Sequence, residues 1–123
     1  MTNKFRLTLA QVNPTVGDLA GNADLARRAW AAGRDAGADM VTMSEMHITG
    51  YQTQDLIMRR QFVAEAEATL NALAADCADG PVLGVGGPAL QDGVLYNAYW
   101  LLHGGKVIHR VLKRWLPNET VFD

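Results

Sequence analysis

Apolar and polar positions follow two periods along this chain, and the changes between them mark its elements. Phe5-Arg6-Leu7-Thr8-Leu9-Ala10-Gln11-Val12 starts with strict alternation and ends at Asn13-Pro14, which predicts a strand followed by a turn. Leu25, Ala29, Ala32 and Ala36 then recur at helical spacing, with Arg27, Arg28, Arg34 and Asp35 on the polar side. Asp18 or Asn22 is the expected N-cap, and Gly37 ends the helix because it enters the left-handed region without a Cβ clash. A short apolar stretch, Asp39 to Glu45, predicts a second strand with a carboxylate at its C-terminal end. Strand, helix and strand in this order form a βαβ unit whose strands run parallel.

The period changes again after the loop-like stretch from Met46 to Gln54. Asp55 is placed to cap a short helix through Arg60, and Phe62, Ala66, Leu70, Leu73 and Cys77 form a second helical stripe closed by Asp79-Gly80-Pro81. The remainder is β-rich. Val82 to Pro88 reads as a buried strand, Asp92-Gly93 as a hairpin turn, Leu95 to Leu102 as the next strand, and His103-Gly104-Gly105-Lys106 as the turn into a last strand. That strand, Val107 to Leu112, carries Lys113 at its end and cannot continue through Pro117. With Gly104-Gly105 as a two-residue turn, His103 faces Lys106 and His109 faces Trp100.

Composition narrows the function. The 123 residues are 49% hydrophobic and 20% charged, enough for one globular domain with a real core. A formal net charge of −2 with dispersed charges gives neither a nucleic-acid footprint nor a basic tract for an anionic membrane. No apolar run approaches the roughly 20 residues of a membrane span, and the N-terminus enters a strand pattern instead of a signal peptide. A single cysteine excludes an internal disulfide framework and fits a reducing, cytoplasmic setting.

Glu45 and Lys113 each close a predicted strand, at the sheet edge where α/β proteins gather catalytic groups. A carboxylate there can act as a general base and an ammonium can stabilise an oxyanion, although two separate surface charges would read the same way. Cys77 falls on the apolar stripe of the second helix, which makes it a buried structural thiol. His47, His103 and His109 lack zinc-ligand spacing. Gly84-Val85-Gly86-Gly87 lies within a strand and opens no helix, so it is not a phosphate loop. Trp30 and Trp100 read as packing or interface residues.

Two segments resolve the ambiguity. Ser44-Glu45-Met46-His47-Ile48-Thr49-Gly50-Tyr51 with Asp55-Leu56 resembles the glutamate motif of the nitrilase superfamily, and Lys113-Arg114-Trp115-Leu116-Pro117-Asn118 with Val121-Phe122-Asp123 resembles its lysine motif. The opening Leu9 to Asp18, the Thr49-Gly50-Tyr51 turn, Leu95-Tyr96-Asn97-Ala98 and Leu116-Pro117-Asn118 are similar, in the same order, to the glutaminase domains of glutamine-dependent NAD synthetases. The resemblance implies an α/β fold, the first half of an α-β-β-α sandwich with both main helices on one face of a mixed sheet. Residues 1–123 would be the N-terminal portion of that domain, ending before the nucleophile.

It further implies Glu45 as general base, Lys113 as the cation for oxyanion and substrate, and a nucleophilic cysteine that this chain does not contain. Glutamine would be hydrolysed and its ammonia passed to a synthetase domain using ATP and magnesium, with no cofactor in this segment. A homo-oligomer is also implied. Several positions depart from the pattern. Ser44 replaces a proline, His47 an aromatic, Gln52-Thr53 a proline pair, and Glu119-Thr120 a tyrosine-glycine. Glu119 therefore stands at a glutamine-binding position, as a substrate contact or as a solvated loop residue. Another amidase, or a non-catalytic module of the same fold, would share these features.

Overall fold

Helix starts and stops follow the local chemistry. The structure, a computed structural model, describes residues 4–50 and 60–114. Asp18 caps helix α1 (Leu19–Asp35) by accepting a bond from the Gly21 amide at 3.0 Å, and Gly37 ends it at φ 80°. Asn22, the alternative cap, lies inside the helix and is buried. Helix α2 (Arg60–Asp76) buries Val63, Ala66, Leu70, Leu73 and Ala74, and Cys77 follows it into the core. The expected Asp55 cap and the Pro117 and Glu119 readings lie outside the described residues.

The buried side of α1 corrects the expectation from the sequence. Ala23, Ala26, Trp30 and Gly33 face inward, while Ala32 and Ala36 are exposed and Leu25 and Ala29 are half-buried. The stripe is therefore turned by one residue, about 100° around the helix. Alanines lie on most sides of this helix, so the apolar period alone hardly fixes its phase. Two stronger constraints fix it. Trp30 donates its indole N–H to the Pro81 carbonyl at 2.9 Å, and a Cβ on Gly33 would come within 2.3 Å of Val41 Cγ2.

Among the described residues five strands form one sheet in sequence order: β1 (Leu7–Leu9), β2 (Met40–Thr42), β3 (Val82–Gln91), β4 (Val94–His103) and β5 (Lys106–Arg114). The first three are mutually parallel and the last two pairings antiparallel. β1 and β2 are shorter than their apolar patterns, and Glu45 lies in a turn beyond β2. Gly33 of α1 packs on Val41, and Leu70 of α2 lies where a Gly87 side chain would be. Val41 and Gly87 belong to the same side of the sheet through the Val41–Leu83 pairing, so both helices cover one face. Leu7 (49% exposed), Leu9 (68%) and Val111 (54%) stand on the other.

The two hairpins differ in one residue. Asp92 (φ 53°) with Gly93 (φ 77°), and Gly104 (φ 64°) with Gly105 (φ 85°), form two-residue turns of the left-handed kind that matches strand twist. Beyond the second turn His103 pairs with Lys106 and Leu102 with Val107, but Leu101 pairs with His109 and Trp100 with Arg110. Ile108 is the extra residue of a β-bulge. His109 therefore does not face Trp100 as the turn alone implied.

Candidate active site

The bulge decides where Lys113 points. Cross-strand partners share a face, and side chains alternate between faces along a strand. Lys113 pairs with Asn97, which pairs with Pro88; neighbouring Leu112 pairs with Ala98 and Gly87 on the helix side. Lys113 thus belongs to the open face. Without the extra residue at Ile108, its partner would be Tyr96 and its side chain would point under the helices.

Glu45 reaches the same face by a different route. After β2 the chain stays against the edge of β3: Met43 N donates to Gly84 O at 2.7 Å, Gly86 N to Ser44 O at 3.1 Å, and Ile48 N to Gly86 O at 3.0 Å. The Glu45 backbone lies so close to Gly86 that a Cβ there would fall 1.5 Å from the Glu45 carbonyl oxygen. Only glycine permits that approach. Tyr99 adds a tie from β4, donating its hydroxyl to the Met43 carbonyl at 2.9 Å while its ring covers Gly84. Burial pushes the Tyr99 phenol up to about 12, so it remains a donor at any ordinary pH.

The two charges meet at the open face, with Lys113 Nζ 4.0 Å from Glu45 Oε1. Both side chains are largely exposed, at 77% and 61%, and an exposed pair of this length is too weak to hold two segments together. Their proximity is imposed by the backbone: the glycine seat on one side and the bulged register on the other. A carboxylate beside an ammonium, both accessible from one side of a sheet, can take a proton from a nucleophile and steady the negative charge of a tetrahedral intermediate.

Cys77 is not part of this pair. It lies in the core between the helices and the sheet, and burial pushes its thiol up to about 11. A thiol so suppressed, on the covered face, is a packing group and not a nucleophile. Trp30 and Trp100 are also core residues, each with its indole N–H bonded to a backbone carbonyl. Among the described residues no three His, Cys, Asp or Glu side chains gather as a metal site, and no described helix is long and apolar enough to cross a membrane.

Residues that the sequence did not mark as belonging to the site do much of the positioning. Asn22 accepts from Thr15 N at 2.7 Å and donates to Thr15 O at 2.8 Å and Ile48 O at 3.0 Å, joining α1, the preceding loop and the Glu45 turn. Gly86 and Tyr99 hold the backbone around Glu45. The available signals were faint: a polar residue inside an alanine-rich helix, and a glycine in a buried strand that marks close backbone approach.

Known proteins resemble this chain in sequence and in fold. The carbon-nitrogen hydrolase family matches residues 6–121. The glutamine-dependent NAD(+) synthetase of Rhodobacter capsulatus is 56% identical over 123 residues, spanning the whole chain and 22% of that protein. The structure of a glutamine-dependent NAD(+) synthetase from Cytophaga hutchinsonii superposes with a TM-score of 0.84 at 28% identity, covering 93% of this chain and 20% of that one. A nitrilase-superfamily amidase from Nesterenkonia AN1 shares the fold at a TM-score of 0.73 and 23% identity, over 89% of this chain and 42% of its own. The chain therefore spans about a fifth of the length of the synthetases it matches. The chain belongs to the carbon-nitrogen hydrolase family.

Proposed function

We propose that residues 1–123 supply the glutamate and lysine of a glutaminase centre that feeds ammonia to ATP-dependent NAD(+) synthesis. The observation that carries this reading is the backbone-imposed approach of Glu45 and Lys113 on the helix-free face. The 56% identity to a glutamine-dependent NAD(+) synthetase supports the choice of glutamine over other amides. The nucleophile is a cysteine outside residues 1–123, facing the open side of the sheet.

In the proposed reaction Glu45 accepts the proton of that thiol as its sulfur attacks the glutamine carboxamide carbon. The carbonyl oxygen takes the negative charge beside Lys113. As the C–N bond breaks, Glu45 returns the proton to the leaving nitrogen, and ammonia departs from a thioester. Water, deprotonated by Glu45, then attacks the thioester; glutamate leaves and the thiol recovers its proton. The ammonia amidates the adenylated carboxylate of nicotinic acid adenine dinucleotide in a second domain, to which ATP and magnesium belong. Glu119 as a substrate contact, a homo-oligomeric assembly and a cytoplasmic location belong to the same reading and rest on sequence.

The test compares nitrogen sources in the full-length polypeptide. Glu45→Gln and Lys113→Ala should each lower glutamine-driven NAD(+) formation by about a hundredfold or more, the range for loss of an acid–base or oxyanion group. Formation from added ammonia should be unchanged. Glutamine-driven turnover retained in either variant removes that residue from the mechanism, and turnover on a different amide in preference to glutamine replaces the substrate.

A further inference from the structure

The Glu45 turn is closed from behind by His47, a fully buried imidazole. His47 Nε2 lies 2.6 Å from the Asn22 carbonyl oxygen. A carbonyl can only accept, so Nε2 carries the hydrogen, and in the neutral ring Nδ1 is a bare lone pair. Nδ1 is buried and meets no hydrogen-bond partner among the described residues. The Asn22 side chain donates to the carbonyl of the next residue, Ile48, whose amide is bonded to Gly86. Ring, helix and turn thus form one connected set of bonds, and Glu45 sits at its outer end.

We propose that His47 is a positioning residue: its neutral, Nε2-protonated ring latches the Glu45 turn to α1, and a second proton on the ring opens the latch. Protonation would place an N–H at Nδ1 with no acceptor among the described residues and a charge in the core, each of which carries a desolvation cost. Burial lowers the pKa of His47, opposed by the smaller effect of the Asn22 carbonyl, and among the described residues no charged side chain contributes. The surrounding elements explain this. β3 has no ionisable residue. On α1, Asp24 pairs with Arg28 and Asp35 with Arg34, while the Asp18 carboxylate caps the helix. On α2, Glu67 is engaged by Arg110 and the Leu90 amide, and Glu65 is exposed. Within the turn itself, Glu45 points outward beside Lys113.

The sign follows from the depressed pKa. Above about 6.5, the unfolded value, the latch is fully present; as pH falls below it, the open state binds the extra proton and gains population. The consequence for catalysis rests on the reading of Glu45 as the base, but the latch can be measured without substrate. Hydrogen–deuterium exchange of the 44–50 segment, in the full-length polypeptide and corrected for intrinsic rates, should lose up to about tenfold protection per pH unit below about 6.5. Helix α2 serves as the internal reference. His47→Phe fills the site without a titrating group, and His47→Gln keeps an N–H donor; both should make protection pH-independent, with His47→Gln closer to the wild-type level at pH 7.5.

Glutamine-driven turnover, divided by ammonia-driven turnover at each pH, should fall on the acid side in the wild type and flatten in His47→Gln. Exchange in His47→Gln that keeps the wild-type pH dependence would overturn the proposal, as would wild-type protection that does not change between pH 7.5 and 5.5. A latch that behaves as expected in a protein inactive on glutamine would refute the glutaminase reading and leave the latch standing.

Discussion

The two faces of this sheet are built from the same strands but obey different rules. On the helix side Leu70, Leu73, Leu83, Val85 and Leu102 are completely buried, and position follows from filling space. On the open side Leu9 and Val111 are exposed, the charges are exposed, and position follows from backbone geometry: a glycine seat, a bulge and one tyrosine hydroxyl. The covered face supplies stability and the open one holds its charged groups in place without packing around them. That division suits a face awaiting a second layer, and the resemblance to an α-β-β-α sandwich accounts for what would cover it.

Five substitutions would break or sharpen the contrast. The largest effect is expected from Gly86→Ala, because its Cβ would collide with backbone that cannot rotate away. It should abolish glutamine-driven turnover and cost about 3 kcal/mol or more in chemical unfolding. Gly87→Ala, whose Cβ would press on side-chain methyls of Ile48 and Leu70 on the packed side and not on backbone, should cost less. Equal losses in the two would mean that the open face is no more backbone-determined than the core.

Next, Leu73→Ala should destabilise by about 2–5 kcal/mol as a core truncation. Leu9→Ser, made in residues 1–123 alone, should change unfolding by no more than about 0.5 kcal/mol and reduce concentration-dependent light scattering. If Leu9→Ser is as damaging there as Leu73→Ala, the second face is not open. In the full-length polypeptide the same change should cost more, since a covering layer would bury it. The smallest effect belongs to Tyr99→Phe, about 1 kcal/mol for one hydrogen bond. Because the folded phenol is raised to about 12, its contribution is complete below about 10 and lost as pH rises through 12. The Phe variant should therefore show a flatter alkaline stability curve than the wild type.

The difference between the faces also explains what could be read from the sequence. The second helix was legible because Ala66, Leu70, Leu73 and Cys77 are apolar against polar neighbours, and the hairpins because Asp92-Gly93 and Gly104-Gly105 demand left-handed turns. Glu45 and Lys113 were legible as motif residues. The phase of α1 was not, because alanine packs on any side and the deciding groups were one bulky ring and one missing side chain. The bulge left no mark on composition at all, so the register past Leu102 could not be counted from the turn. Asn22 and His47 looked like a spare cap and a bland histidine. Their importance lies in bonds to segments distant in sequence, which periodicity does not report.

The unpaired residue at Ile108 gives the lysine strand something like a reading frame. Losing one residue anywhere between the Gly104-Gly105 turn and Lys113 would exchange the lysine for its neighbour on the open face and turn the ammonium toward the helices, with every site residue still present. Losing two would restore the side and shift the height. Homologues aligned through this hairpin should therefore tolerate paired gaps far better than single ones, and a single gap there marks a chain in which the lysine has left the site.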